Sequence, residues 1–445
     1  CKVNQTESEA LAQLLAEEGY HVVQEAEEPE VIIINTCTVT GTGSSKSRKL
    51  IRKIAKEHPL STVVVMGCYS QTKPEEVAEL EGVDLIVGTQ DRHSIVEYLR
   101  KIQKNKSLHK KLALIENGVL LETEKDIKRK NDPVLVVKAY NNNTVYEELP
   151  LLENENRARA MLKIQDGCSQ FCTYCIIPYA RGPSRSRDPQ NILAEARKLL
   201  EAGYKELVLT GVHIGAYGKD LEEELDLSIL VSLLVSLPGM KRLRLGSIEP
   251  MEFTTEFLEI ITGQQAICPH FHIPLQSASD NILAKMKRPY TTEDYALLLG
   301  KIREKLPDAA IAADIMTGFP GETEEEHQEA LDFIKSCDFA SIHVFPYSRR
   351  EGTPAADMPN QVPRSVKTAR VRDIIKIGKE SRQRYLERFF GKPLEVLIEK
   401  VESDGTAHGH TRNYLELRLP SELNPGNWQA GDLVNCILRK EYLPD

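Results

Sequence analysis

Short runs of β-branched residues alternate with helical stretches along most of the chain, and this alternation constrains the fold more than any other sequence feature. In residues 1–100 the runs "VIIINTC", "TVVVMGC" and "DLIVGT" are each followed by a stretch with helical spacing. Such runs are typical of parallel strands that are buried on both faces. The sequence therefore predicts an α/β fold that begins with a doubly wound parallel sheet.

A second alternation begins near residue 157 and contains six strand candidates. They are "RAMLKIQ", "KELVLTG", "RLRLGS", "HFHIPLQS", "AIAADIMTGFP" and "FASIHVFPYS". Six βα units predict a central partial (βα)6 barrel rather than another small open sheet. After Gly391, alternating strands with turn signals predict a small all-β barrel. We therefore expect three domains, at residues 1–130, 150–388 and 389–445.

Composition and charge exclude several classes of protein. The formal net charge of −9 argues against a generally basic nucleic-acid binder, although a local basic patch remains compatible with it. No apolar run approaches the length of a membrane span and no signal peptide opens the chain, so we expect a cytoplasmic protein without a membrane partner. Because the chain begins at Cys1 without a leading strand, we expect its natural start to lie upstream.

Three of the nine cysteines lie close together in "DGCSQFCTYC". Cys168, Cys172 and Cys175 have the spacing C-x3-C-x2-C, and nine cysteines without a secretory signal favour metal binding or catalysis over disulfides. A structural zinc site needs four ligands, usually in two separated pairs, and this run has no partner pair. A cubane iron–sulfur cluster has four irons, so three cysteines leave one iron open. The run follows the first predicted barrel strand, where such barrels place their chemistry, and it predicts a cluster that binds a ligand.

Three further cysteines stand at the ends of predicted strands in the first domain. Cys37 ends "VIIINTC", Cys68 ends "TVVVMGC", and Cys1 directly precedes the first predicted helix. The carboxyl ends of parallel strands meet at one edge of a sheet, where the ligands of open α/β folds bind. These cysteines either hold a second cluster with an open position or belong to the core, and geometry alone leaves both open.

The cysteine motifs carry a resemblance to a known family. C-x3-C-x2-C with Tyr174 before its last cysteine resembles the radical S-adenosylmethionine superfamily, and with "CKVNQTES", "NTCTVT" and "GCYSQ" the chain resembles the methylthiotransferases along nearly its whole length. The resemblance implies a C-terminal TRAM domain, and S-adenosylmethionine that is bound at the open iron and cleaved to a 5′-deoxyadenosyl radical. It implies two [4Fe-4S] clusters, an auxiliary one on Cys1, Cys37 and Cys68 and a radical one on Cys168, Cys172 and Cys175. Three cysteines match no motif and are interpreted as structural: Cys268, Cys337 and Cys436.

Within this family, "CKVNQTES" and "NTCTVTGTGSSKSR" resemble the MtaB-type branch, which adds a 2-methylthio group to N6-threonylcarbamoyladenosine beside the tRNA anticodon. Gln5 stands where the branch acting on isopentenyl-adenosine more often has an acidic residue, and Lys2 where the branch acting on a ribosomal-protein aspartate typically has proline. The implied partners are a tRNA with that nucleoside and an electron donor of the flavodoxin or ferredoxin type. The alternatives are the same chemistry on one of those other substrates, or a non-catalytic RNA-binding protein with zinc in the cysteine sites.

Residues at predicted strand ends are candidates for holding S-adenosylmethionine. They are Tyr174, Thr210 and Gly211 in "LTGVHIG", Glu249 in "SIEP", Gln276 and Ser277 in "HIPLQS", and Gly318 in "MTGFPG". Thr210 and Gly211 occupy the place of the superfamily's glycine-rich motif but lack its acidic third residue. Taken singly, each polar residue is better explained as a turn residue or helix cap than as a ligand, whereas together they form a ring of strand ends that favours a binding site.

Arginines that follow the radical cysteines are candidates for substrate recognition. Arg181, Arg185 and Arg187 lie in "ARGPSRSR", and guanidinium groups suit the carboxylate of a threonylcarbamoyl group. The alternative is a solvated basic loop.

The predicted C-terminal domain is acidic, since residues 389–445 contain six Lys or Arg and nine Asp or Glu. RNA binding there requires a local positive patch. The candidate patch consists of His408, His410, Arg412 and Tyr414 in "HGHTRNYLEL".

Overall fold

A computed structural model describes most of the chain in three units. The described residues are 2–23, 28–104, 113–116, 119–122, 133–141, 143–149, 158–222, 225–424 and 426–444. Cys1 and the predicted boundaries at residues 130 and 150 lie outside these ranges. No helix within the described ranges is both long and apolar enough to cross a membrane.

The N-terminal unit contains a six-stranded sheet with helices on both faces. Its strands are β1 (Val31–Thr36), β2 (Thr62–Gly67), β3 (Leu85–Val87), β4 (Ala113–Glu116), β5 (Val119–Glu122) and β6 (Val134–Val136). Its helices are α1 (Lys2–Glu17), α2 (Gly41–Glu57), α3 (Cys68–Thr72), α4 (Pro74–Ala78) and α5 (Ile95–Lys104). The strand order is β1-β2-β3-β6-β4-β5, and every pairing is parallel except that of β4 with β5.

Alternation of side chains along β2 explains why both faces are covered. Val64 and Met66 pack in one core with residues of α1 and α5, whereas Val63 and Val65 pack in a second core with residues of α2 and α4. A strand that is buried on both faces requires the continuous apolar run seen in the sequence. The predicted parallel α/β sheet is confirmed, and it continues beyond β3 to β6, β4 and β5.

The central unit contains six parallel strands, and each corresponds to one of the predicted strands. They are β7 (Arg159–Lys163), β10 (Glu206–Thr210), β11 (Arg242–Arg244), β12 (His270–His272), β13 (Ala310–Thr317) and β14 (Ser341–Pro346); a short antiparallel pair is β8 (Gln165–Asp166) with β9 (Arg185–Ser186). Two three-stranded parallel sheets have the orders β11-β10-β7 and β12-β13-β14. Single parallel bridges, Leu243 to Ile267 and Ser247 to His272, connect the two sheets.

Helices follow the strands of the central unit at positions that capping residues specify. They are α6 (Ile177–Arg181), α7 (Pro189–Glu201), α8 (Leu227–Val235), α9 (Thr255–Gly263), α10 (Asp280–Lys285), α11 (Thr292–Lys305), α12 (Glu324–Cys337), α13 (Pro354–Asp357) and α14 (Arg364–Glu387). Thr323 and Glu326 form a reciprocal capping box at the start of α12. Asp188 caps α7, whose first residue is a proline.

The C-terminal unit is an antiparallel sheet. Its strands are β15 (Pro393–Val401), β16 (Ala407–Thr411), β17 (Glu416–Leu419) and β18 (Leu433–Ile437), in the order β17-β16-β15-β18. The inward side chains of β15 and β17, such as Val396, Ile398 and Leu417, share a core with Tyr385 of α14. This shared core joins the unit to the central one.

Candidate active site

The loop that carries the three clustered cysteines lies directly after β7 and β8. Gly167 starts the loop with a φ of +72°, and the Cys168 amide donates to the Gly182 carbonyl at 3.0 Å. The Cys175 amide donates to the Cys172 carbonyl, also at 3.0 Å. Cys172 is buried, the other two cysteines are half-buried, and all three are free thiols. The loop therefore presents three sulfurs from a fixed backbone.

The positions of these sulfurs do not suit a single zinc ion. Thiolates bound to one tetrahedral zinc lie about 3.8 Å apart, as follows from a Zn–S bond of about 2.3 Å. Within the described chain, the three sulfurs do not all lie within 4.8 Å of one another. Burial raises the pKa of Cys175 to about 12, so only a bound metal would keep it a thiolate at neutral pH. The donor set fits three separate irons of a [4Fe-4S] cluster and disfavours the zinc alternative.

Two hydrogen bonds to sulfur support this assignment. The Gln170 amide donates to Cys168 Sγ at 3.4 Å, and Arg288 Nη1 donates to Cys172 Sγ at 3.2 Å. Donors to ligand sulfurs stabilise the anionic thiolate and tune the potential of iron–sulfur clusters.

His213 places a positive charge beside the cysteine loop. Its Nδ1 lies 3.6 Å from Cys168 Sγ and its Nε2 lies 2.8 Å from a Glu252 carboxylate oxygen. Burial alone would lower the pKa of His213, but these two partners outweigh it and raise the pKa to about 9. The imidazole is therefore cationic at neutral pH. The sequence analysis missed His213, although its position three residues after the end of β10 offered a signal.

Glu249, a predicted cofactor residue, is held by an arginine that the sequence analysis also missed. Arg288 forms an ion pair with Glu249, and its guanidinium lies 5.1 Å from the ring centre of Tyr290. Because Arg288 also contacts Cys172, the carboxylate of Glu249 lies at the cysteine loop. Arg288 stands in "KMKRPYT", after a helix rather than a strand, so no strand-end rule pointed to it.

Thr210 and Gly211, the candidates at the end of β10, lie beside the loop that carries the three cysteines. Thr210 is buried at the end of β10, and the Gln165 side chain accepts from the amides of Val212 at 3.0 Å and His213 at 2.8 Å. A Cβ on Gly211 would lie 2.8 Å from the Ile214 side chain and 3.0 Å from the Gln165 carbonyl. Position 211 therefore requires glycine, because the turn after β10 closely approaches β8 there.

The remaining candidates lie at the ends of β12 and β13. Gln276 has a φ of +62°, and its amide and carbonyl bond to the backbone of β13 at 2.8 Å. Ser277 is buried and accepts from the Ser279 amide at 3.3 Å. The Gly318 amide donates to Glu322 at 2.8 Å, and Tyr174 packs with the apolar residues on either side of Gly318, Met316 and Phe319. All seven candidates thus lie at the carboxyl ends of the strands, as the cysteine loop does.

Two of the three predicted auxiliary ligands are neighbours. Thr36 of β1 pairs with Gly67 of β2, so Cys37 and Cys68 follow adjacent positions at the sheet edge. Asn4 donates to the Thr36 carbonyl at 3.1 Å, which brings the start of α1 to the same edge. The structure thus brings together Cys37 and Cys68, and the start of the helix that Cys1 precedes.

A buried charged network joins the two cysteine groups. One Glu7 oxygen lies 2.8 Å from Lys163 Nζ, 2.8 Å from Arg181 Nη1 and 2.9 Å from Arg92 Nη1. Asp166 lies 2.7 Å from Lys163 and 2.9 Å from Arg181. No side chain in the network is more than 8% exposed.

The network touches both cysteine groups. Asp166 stands two residues before Cys168, and the Arg181 charge acts on Cys68, where it opposes the rise in the thiol pKa that burial causes. Ion pairs buried this deeply persist only when each charge is matched, and Glu147, 2.8 Å from Arg92, brings the carboxylates to three against the three cations. Matched charges of this kind hold the N-terminal and central units in one relative position.

The arginines predicted to meet substrate are inside the chain. Arg181, Arg185 and Arg187 are each at most 5% exposed. Arg185 donates to the carbonyls of Arg181 and Pro183, and Arg187 forms ion pairs with Glu148 and Glu195. The alternative of a solvated basic loop is wrong, and a substrate contact gains no support from this placement.

The candidate RNA patch of the C-terminal unit faces the central unit. The Tyr414 ring stacks on His410 at 4.6 Å and lies 4.7 Å from the Arg244 guanidinium. Arg412 donates to the Gln265 carbonyl and, at 3.1 Å, to the Ile267 carbonyl. The contacted residues stand in or near β11 and at the amino-terminal side of β12, away from the cysteine loop. Most of this patch is therefore used for docking the two units.

Comparisons with known proteins agree with these observations. Residues 162–334 match the family model of the radical SAM superfamily, and residues 1–88 match that of the uncharacterized protein family UPF0004. In fold, the chain is similar to the radical S-adenosylmethionine methyltransferase TsrM from Kitasatospora setae. The TM-score is 0.57 at 17% identity, covering 78% of this chain and 73% of that one.

Named relatives align with this chain over nearly its whole length. The chain is 40% identical to the threonylcarbamoyladenosine tRNA methylthiotransferase MtaB of Bacillus subtilis, over 94% of this chain and 88% of the relative. It is 34% identical to the enzyme of the same name from Aquifex aeolicus, over 98% of both chains. It is 35% identical to the tRNA-2-methylthio-N(6)-dimethylallyladenosine synthase of Pelotomaculum thermopropionicum, over 93% of this chain and 88% of the relative. The chain therefore belongs to the radical S-adenosylmethionine methylthiotransferase family.

Proposed function

We propose that the protein is a tRNA methylthiotransferase that replaces the C2 hydrogen of N6-threonylcarbamoyladenosine with a methylthio group. The observation that carries the proposal is the pair of cysteine groups, joined by a buried ion network, in a chain 40% identical to an enzyme named for this substrate. The relative named for dimethylallyladenosine is 35% identical. The relative with 40% identity supports threonylcarbamoyladenosine over isopentenyl-adenosine as the substrate.

The proposed architecture follows the predicted domains. We assign residues 1–130 to an auxiliary-cluster domain, to which β6 is added by its pairing with β3. We assign residues 150–388 to a radical domain, whose six parallel strands support a partial (βα)6 barrel. Residues 389–445, with four antiparallel strands, are assigned to a TRAM barrel. A cytoplasmic location and a flavodoxin- or ferredoxin-type electron donor complete the proposal.

The chain's own residues hold and orient the reactants in this proposal. When bound, the cluster and S-adenosylmethionine supply the radical that acts on the base. Cys168, Cys172 and Cys175 are the proposed ligands of the radical cluster, and Cys1, Cys37 and Cys68 those of the auxiliary one. Arg288 holds Glu249 at the cysteine loop, and His213 keeps a cation beside Cys168. The proposed contacts of S-adenosylmethionine are Tyr174, Thr210, Gly211, Glu249, Gln276, Ser277 and Gly318.

Replacing Gly167 with alanine should displace the cysteine loop. A Cβ at this position would lie 1.9 Å from the Pro183 carbonyl oxygen, and the φ of +72° disfavours any other residue. We expect reconstituted iron to fall from about eight to about four atoms per chain, because one of two [4Fe-4S] clusters is lost. Gly203→Ala is the control, since Gly203 has a φ of +98° but no atom within 4 Å of its Cβ position. Full iron loading in Gly167→Ala would contradict the role given to this turn.

Nucleoside mass spectrometry tests the proposed reaction directly. Reconstituted enzyme, reductant and S-adenosylmethionine are incubated with tRNA that carries threonylcarbamoyladenosine, and in parallel with tRNA that carries isopentenyl-adenosine. We expect a 2-methylthio product with the first tRNA only. Formation of 5′-deoxyadenosine with both bases unchanged would refute the substrate assignment but leave the radical domain in place.

A further inference from the structure

Helix α2 presents a cationic face, in which Lys53 lies 3.8 Å from Glu57. It contains six Lys or Arg residues and one acidic residue, Glu57. Its apolar side chain Ile51 is fully buried against the sheet, so the opposite face is open to solvent. Four exposed cations of this face have no ion-pair partner among the described residues: Lys46, Lys49, Arg52 and Lys56. In a chain with a net charge of −9, such a face is a distinct local feature.

The spacing of these cations suits an extended polyanion. Lys46, Lys49, Lys53 and Lys56 follow one another at intervals of three, four and three residues, which places them in one row along the helix. The row is about 15 Å long at 1.5 Å per residue. Successive phosphates of one nucleic-acid strand are separated by about 3.4 Å along a duplex axis, so several phosphates lie within this length.

The row begins next to the auxiliary cysteines. Thr38 follows Cys37 directly, and Arg350 donates to the Thr38 hydroxyl at 3.1 Å and to the Ser44 hydroxyl at 3.0 Å. The Gly41 amide donates to the Ser348 hydroxyl of the central unit at 3.0 Å. The first turn of α2 is therefore fixed at the junction of the two units that carry the cysteine groups. A nucleic acid bound along α2 would therefore extend from this junction of the two units.

Among its described residues, the C-terminal unit offers no comparable surface. Its residues from 389 onward carry more acidic than basic side chains, and Arg412 and Tyr414 are engaged with the central unit. A phosphate backbone is repelled by net negative charge and is attracted by unpaired Lys and Arg.

We propose that the cationic face of α2, formed by Lys46, Lys49, Arg52, Lys53 and Lys56, binds the phosphate backbone of the substrate RNA. The proposal rests on the proposed function, because it takes the RNA to be the tRNA that carries the modified base. It assigns RNA affinity to the N-terminal unit, whereas the sequence alone indicated an RNA-binding patch in the C-terminal unit.

Binding of a fluorescent anticodon stem-loop RNA to the full chain, measured by anisotropy at several salt concentrations, tests this proposal. The test variant combines Lys46→Gln, Lys49→Gln, Arg52→Gln and Lys56→Gln, which keep good helix formers. The control variant removes the same charge from other exposed positions without ion-pair partners in the described chain: Arg197→Gln, Lys198→Gln, Lys205→Gln and Lys301→Gln. Circular dichroism melts verify that both variants fold.

We expect the α2 variant to bind about 100-fold more weakly at about 0.1 M salt, with a slope of log K against log salt that is smaller by about 3. The control should bind within about twofold of the wild type. Unchanged affinity and slope in the α2 variant, or an equal loss in the control, would overturn the proposal. If the α2 variant bound RNA normally but was no longer reduced by a flavodoxin, the cationic face would be the docking site of the electron donor. That result would also overturn the proposal. A wild-type chain that bound no RNA at low salt would refute the proposed function itself.

Discussion

Replacing Cys172 with alanine should abolish the cleavage of S-adenosylmethionine to 5′-deoxyadenosine. Cys172 is the most buried of the three loop cysteines, and Arg288 holds its sulfur in place. Loss of a second-shell partner alone typically costs about 10- to 100-fold in metal affinity or activity, so loss of a ligand should cost more than about 100-fold. Chromatography of the products after anaerobic reconstitution and reduction measures the effect.

Two further variants make this result specific. Cys68→Ala should still form 5′-deoxyadenosine but give no methylthio product, because it lies in the other cysteine group. Cys436→Ala, in the core of the C-terminal unit, should keep both activities. Wild-type 5′-deoxyadenosine formation by Cys172→Ala would end the assignment of the radical cluster, and full methylthiolation by Cys68→Ala would end that of the auxiliary one.

Replacing Glu7 with alanine should destabilise the protein by about 3 to 5 kcal/mol, the typical cost of removing one partner from a buried ion pair. Without Glu7, the cations Arg92, Lys163 and Arg181 remain buried. Asp166 is then the one carboxylate among the described residues that pairs with all three. Urea denaturation monitored by circular dichroism measures the free energy of unfolding. The matched control is Glu17→Ala, on the exposed end of the same helix, which should change it by less than about 0.5 kcal/mol.

The same network predicts a dependence of stability on pH. Burial alone would raise the pKa of Glu7, but the surrounding cations outweigh it and lower the pKa to about 2 from its ordinary 4.5. Because the folded-state pKa is the lower one, the contribution of Glu7 is complete above pH 4.5 and is lost as the pH falls towards 2. The free energy of unfolding of Glu7→Gln should therefore depend less on pH than that of the wild type in this window. Parallel pH curves for the two proteins would show that Glu7 contributes no such linkage.

The network also suggests why a chain of this kind keeps so many charges out of water. A buried ion cluster is seldom more stable than apolar packing of the same volume. Its matched partners, however, accept only one arrangement of the two units. Glu7 comes from the N-terminal unit, Asp166 and Arg181 come from the central unit, and the charge of Arg181 acts on the Cys68 thiol. The proposed reaction needs two clusters at a fixed separation, and the network provides that constraint.

The sequence by itself determined the local features of this protein. Continuous β-branched runs predicted the parallel strands, because a strand buried on both faces has no place for polar residues. The spacing of Cys168, Cys172 and Cys175 predicted one cluster, because three ligands on one loop are close through the covalent chain alone. Cys37 and Cys68 were predicted to lie at one edge of the sheet because parallel strands end at a common edge, and they follow the paired residues Thr36 and Gly67 of β1 and β2.

Only the tertiary structure decided which charges face each other. Arg181, Arg185 and Arg187 look like a solvent-exposed basic loop in sequence, yet their partners are supplied by residues far away in the chain or by the backbone. Arg288 and His213 were missed for the same reason, since their contacts with the cysteine loop join residues 116 and 45 positions apart. Periodicity and ligand spacing are local properties that a sequence displays directly. Charge pairing depends on distances across the folded chain, and those exist only after the units have packed.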